Sequence, residues 1–71
     1  MADSVYKIIE LVGTSPESWE KAAMNAVNQA GKSLRELRVA EIIKLDMHIE
    51  DGKVVAYRAR VSLSFKYEGK D

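Results

Sequence analysis

The residues that could do chemistry are few and sit in the second half of the chain. His48 is the sole histidine, and it shares β-strand parity with Asp46 and Glu50. Side chains at i and i+2 on a strand lie on one face and can share a metal ion. One imidazole with no second His or Cys is a poor zinc set, so a solvated hairpin face is the better reading. Arg58 and Arg60, with Lys44 expected opposite Arg58, make a basic strip. Such a strip can receive a phosphate or carboxylate, or pair with acids of a neighbouring copy. Trp19 is the one tryptophan. A ligand platform is conceivable there, but its helical spacing places it with packing residues. Scattered serines and one histidine form no nucleophile–base pair, and no glycine-rich phosphate loop is present. Enzyme activity is therefore not expected.

The elements that must position these groups come from hydropathy. Val5 to Val12 (VYKIIELV) is β-rich and ends before Gly13. Ile8–Ile9 and Leu11–Val12 are adjacent apolar pairs, so both faces of that strand need cover. Thr14 to Ala30 reads as a helix. Thr14 and Glu17 have capping-box spacing, and Ser15 is an alternative N-cap with Pro16 at the first helical position. Trp19, Ala22, Ala23, Ala26, Val27 and Ala30 fall on one face. Alanines let a helix sit close to a sheet, and Gly31 suits a left-handed helix end.

Leu37 to Glu50 alternates, with Leu37, Val39, Ile43, Leu45, Met47 and Ile49 on one parity and Glu41 as the exception. Val54 to Tyr67 alternates as well, with Val55, Tyr57, Ala59, Val61, Leu63, Phe65 and Tyr67 on the apolar side. A two-residue Asp51-Gly52 turn would set apolar against polar positions. A three-residue loop, Glu50 to Gly52, instead pairs Ile49 with Lys53 and Leu45 with Tyr57, with Gly52 in a bulge. That register puts Glu41 opposite Val61, which asks for an ion-pair partner from another copy. It also gives Val39 and Arg58 opposite parity.

The sequence has 71 residues with eleven Lys and Arg against eleven Asp and Glu. One domain, 1–71, is expected. The charge balance argues against a nucleic-acid partner. No run of about 18 apolar residues argues for a membrane span. No cysteine is present, which removes disulfides and thiolate metal sites. No signal-peptide pattern is visible either, and a cytoplasmic location is expected. A chain this short buries only about 60% of its unfolded surface. Two strands of about 14 residues span roughly 45 Å, whereas a 17-residue helix covers about 25 Å. The apolar strand surface left over asks for partner chains.

The chain resembles the dodecin family. The resemblance rests on Val5-Tyr6-Lys7-Ile8-Ile9-Glu10-Leu11-Val12-Gly13-Thr14-Ser15, Leu34-Arg35-Glu36-Leu37-Arg38, Ile49-Glu50-Asp51-Gly52 and Tyr57-Arg58. It implies an α+β fold, a β-α-β-β subunit whose three-stranded antiparallel sheet wraps one helix, assembling into a hollow homododecamer. Many members bind flavins in pairs between subunits and are not enzymes. In those members a Trp stacks on the flavin where this chain has Val39, a Gln bonds the ring where it has Arg58, and an acid is common where it has Lys44. The segments Thr14-Ser15-Pro16, Ser18-Trp19-Glu20, Arg38-Val39-Ala40 and Asp46-Met47 resemble the calcium dodecin branch, which lacks the flavin-stacking Trp.

That resemblance implies a non-enzymatic cage binding calcium, with weak or no flavin binding. The alternative is a riboflavin or FMN storage and sequestration protein using another platform, Tyr57 or Arg58. Calcium takes 6–8 oxygens. Asp46, Glu10, Glu41, Glu50 and Asp51 could supply some, and waters, backbone carbonyls or symmetry copies must supply the rest. Val39, Lys44 and Arg58 are the expected ligand-pocket positions.

Overall fold

The computed structural model describes residues 4–66. Strand β1 (Tyr6–Ser15) is followed by helix α1 (Trp19–Gly31), strand β2 (Leu37–Glu50) and strand β3 (Lys53–Lys66). The three strands form one antiparallel sheet in the order β1-β3-β2, with β3 in the centre. This is the expected β-α-β-β arrangement. Tyr67, expected on the apolar side of the last strand, lies outside the described residues. No helix among the described residues is long and apolar enough to cross a membrane.

The core lies between the helix and the middle of the sheet. Ala22, Ala26 and Ala30 on α1 meet Ala59, Val61 and Leu63 on β3, with Ile9, Leu11, Ala23 and Val27 packed at the margin. The alanine face thus does what its spacing foretells: small side chains bring the helix axis close to the strands. Gly13 belongs to the same contact. It lies inside β1, paired with Ala59, and does not end the strand. A Cβ there would overlap the carbonyl oxygen of Ala22 and press on Ala26. The expected end of β1 at Val12 is therefore corrected: the strand needs a glycine where the helix crosses it.

The helix start is also corrected. Thr14 and Ser15 pair with Arg58 and Tyr57 in the sheet, so neither can cap. Ser15 Oγ accepts instead from the Glu17 N–H at 3.0 Å, closing a turn. Ser18 is the N-cap, its hydroxyl accepting from the Lys21 N–H at 3.0 Å. At the other end Gly31 remains helical and Lys32 caps in a right-handed conformation, φ −72°. The expected left-handed Gly31 is not found. Glu36 carries positive φ, 60°, just before β2.

The β2–β3 turn overturns the three-residue loop. Asp51 and Gly52 have φ of 52° and 75°, the pattern of a two-residue type I′ turn, and Glu50 pairs with Lys53, Ile49 with Val54. The apolar mismatch this creates is repaired by β-bulges. His48 pairs with Ala56, leaving Val55 extra, so Met47 meets Tyr57 and Leu45 meets Ala59. Ile43 is extra on β2, so Ile42 meets Val61 and Ala40 meets Leu63. A third shift leaves out Arg38. Each bulge moves the following residues to the other face. Glu41 consequently lies opposite Ser62, not Val61, and its apparent break in parity disappears.

Candidate functional site

The face of the sheet away from the helix carries the charged groups in rows set by the register. Asp46 sits opposite Arg58, with Thr14 on the far side of Arg58. Lys44 and Val12 flank Arg60, and Glu41 and Glu10 flank Ser62. Val39 and Ile8 flank Ser64. Lys44 therefore faces Arg60, not Arg58 as the simple alternation predicts.

Asp46 is the best-fixed of these side chains. Arg58 Nε donates to its Oδ1 at 2.8 Å and Nη2 to its Oδ2 at 3.3 Å, a two-pronged ion pair. The hydrogen bond from Arg58 holds the Asp46 carboxyl below the usual range, and the charges of Arg58, Arg60 and Lys44 add to the effect. The same bond raises the Arg58 guanidinium. The backbone is pinned from the opposite direction. Capping at Ser18 makes Trp19 the first helical residue, and its indole Nε1–H donates to the Asp46 carbonyl at 3.0 Å. The Trp19 ring meets Tyr57 edge to face, centroids 5.0 Å apart. Trp19 thus packs, as its spacing suggests, and ties the helix to the edge strand β2. Asp46, Met47, His48, Ile49 and Arg58 line an open recess at this end.

The expected metal ligands are scattered. His48 Nε2 lies 3.6 Å from Glu50 Oε2, both exposed near the hairpin. Asp51 is in the turn, Asp46 is engaged by Arg58, and Glu10 and Glu41 stand on either side of Ser62. Among the described residues no three His, Cys, Asp or Glu side chains come together to hold a cation. The described residues of one chain do not supply the 6–8 oxygens of calcium. The ligand-pocket positions are also apart. The bulge at Ile43 brings Val39, Lys44 and Arg58 to one face, correcting the opposite parity expected for Val39 and Arg58. Even so, Ser64 and Arg58 mark rows about 20 Å apart along β3. Val39 lines a separate recess with Val27, Leu37, Arg38, Ala40 and Leu63.

Two features escape the sequence reading. The Asp46–Arg58 pair needs the bulged register, which alternation does not reveal. The Glu36–Arg38 pair, 2.6 Å, depends on the left-handed Glu36 and holds that carboxyl down in the same way.

The family model described as Dodecin matches residues 5–68. Calcium dodecin of Mycobacterium tuberculosis is 46% identical over 63 residues, covering 89% of each chain. A crystal structure of that organism's calcium dodecin, described as a calcium-chelating antigen with a calcium-binding site, matches with a TM-score of 0.82 at 45% identity, over 96% of this chain and 97% of that one. The structure of dodecin from Streptomyces coelicolor gives a TM-score of 0.91 at 36% identity, over 99% and 100% of the two chains.

Proposed function

The chain belongs to the dodecin family, and from that premise we propose that it is a cytoplasmic, non-enzymatic homododecameric cage that binds calcium and binds flavin weakly or not at all. The observation that carries the calcium reading is the 46% identity to a calcium dodecin across 89% of both chains. Since the described residues of one chain gather no cation cage, the oxygens converge where copies meet. Asp46, Glu10, Glu41 and Glu50 are the candidate donors. Glu10 and Glu41 form no ion pair among the described residues, whereas Asp46 must leave Arg58 to take part.

The assembly reading is supported by uncovered apolar surface. The subunit exposes 5530 Å², against about 4,450 Å² for a compact monomer of its mass. The absence of cysteine supports the cytoplasmic location.

The flavin side of the proposal rests on three side chains. Val39 offers no aromatic face for stacking, which is worth about 1–3 kcal/mol by analogy with nucleobases. Arg58 has only donors, and they are turned to Asp46. Tyr57, the other non-Trp platform, is met by the Trp19 ring.

Calorimetric titration with calcium after chelator treatment, beside riboflavin fluorescence, tests the whole reading. Saturable calcium binding with unquenched riboflavin at micromolar protein is expected. No calcium uptake overturns the ion half. Strong quenching overturns the flavin half and favours storage and sequestration of riboflavin or FMN.

A further inference from the structure

The outer row of β3 runs Arg58, Arg60, Ser62, Ser64, Lys66, and of these only Ser62 is buried, 9% exposed. Its neighbours Val61 and Leu63 belong to the core beneath the helix, so its side chain stands on the opposite face. Its direct cross-strand partners there are Glu10 on β1 and Glu41 on β2. Ser64, flanked in the same way by Ile8 and Val39, is only half-buried. The two glutamate side chains therefore account for the extra cover over Ser62. The Ser62 hydroxyl makes no hydrogen bond among the described residues. Its oxygen is not sealed from the surface either. It opens into the gap between two carboxylates.

Glu10 and Glu41 form no ion pair among the described residues, although Lys44 and Arg60 occupy the adjoining row. Their Cα atoms stand about 9.5 Å apart, two strand spacings, a span that two glutamate side chains close over the serine between them. Two carboxylates and a hydroxyl offer at most about five oxygens, all of the hard type that calcium takes. Water or a facing copy completes the shell.

We propose that Glu10, Ser62 and Glu41 are the part of a calcium site that each chain contributes, with the Ser62 hydroxyl as the neutral ligand at its floor. The proposal rests on the calcium reading above and selects within it. Asp46 is engaged by Arg58 and Glu50 lies beside His48, and neither belongs to this row. Lys44 and Arg60 balance the two carboxylates while no cation is held and oppose the cation when it arrives.

The test is calorimetric titration of the assembled protein with calcium after chelator treatment. Binding should weaken about tenfold or more in Glu10→Gln and in Glu41→Gln, through loss of a charged ligand. It should weaken several-fold in Ser62→Ala, tighten in Lys44→Gln, and stay unchanged in Glu17→Gln on the helix. Sedimentation in chelator checks that each variant assembles. Where a glutamine variant does not, Glu10→Asp or Glu41→Asp replaces it, keeping the charge but shortening its reach, and several-fold weaker binding is expected. Wild-type affinity in both glutamate variants, or in Ser62→Ala, overturns the row. Loss confined to Asp46→Asn or Glu50→Gln overturns it too, while the calcium reading stands. No calcium uptake by the wild type overturns both.

Discussion

Asp46 shows how much one side chain can depend on its neighbours. Its carboxyl is held below the ordinary value first by the Arg58 hydrogen bond and then by the surrounding cations. A group with a depressed folded pKa stabilises the fold above its unfolded pKa, about 3.9 for Asp, and that contribution is lost as pH falls through the folded value. Thermal melts of the wild type and Asp46→Asn from pH 7 down to pH 2.5 should therefore differ in slope. The variant should start lower at pH 7 and lose less between about pH 4 and pH 2.5. Parallel curves would mean that Arg58 does not favour the ionised form. Glu36, held down by Arg38, remains in both proteins and cancels in the difference. The exposure of both pairs keeps the effect small. The chemistry of Asp46 was only partly legible from sequence. Its residue type was singled out as a cation ligand, but its partner is Arg58, because a bulge at Val55, three residues before Arg58 on the hairpin's other strand, decides which residues meet.

At the scale of elements, the contact of β1 with α1 is the most sensitive to a single atom. Gly13→Ala places a methyl against the Ala22 carbonyl and Ala26. The helix must then lift from the strand, and a stability loss of about 1–3 kcal/mol is expected, measured by denaturant midpoint. An unchanged midpoint would show that helix and strand are not in contact there. The alternation of Leu37–Glu50 and the Ala-lined helical face located β2 and α1 well, because burial on one face imposes those periods. Gly13 and Gly31 misled, since a glycine can permit close approach as readily as a turn. Thr14 and Ser15 misled for a related reason: capping residues also belong in strands, and their pairing with Arg58 and Tyr57 prevails. The loop length failed because one bulge can restore a mismatch that would otherwise demand an extra turn residue.

The whole molecule is too long for its mass. Its principal extents are 53 × 20 × 18 Å and its radius of gyration is 14.7 Å, against about 11 Å for a compact chain of this length. The cause is visible in β2. Ile42, Leu45 and Met47 share the core face by register, yet remain 46%, 48% and 44% exposed. The helix lies over β1 and β3 and leaves them bare. In sedimentation the wild type should run near 96 kDa, twelve copies of 8.0 kDa. Leu45→Asp should shift it to smaller, less stable species. A folded 8.0 kDa particle at micromolar concentration would exclude the cage.

The central position of β3 has one more consequence, for the order of events on the ribosome. Tyr6 pairs with Lys66, so the first strand to be made finds its bed only in the last. At about 5–20 residues per second, that wait lasts roughly 3–12 s, during which β1 has an open edge and no sheet to join. Once Lys66 has left the ribosome, the β2–β3 hairpin can close within about 1–10 μs, and β1 is then the slow stitch that completes the subunit.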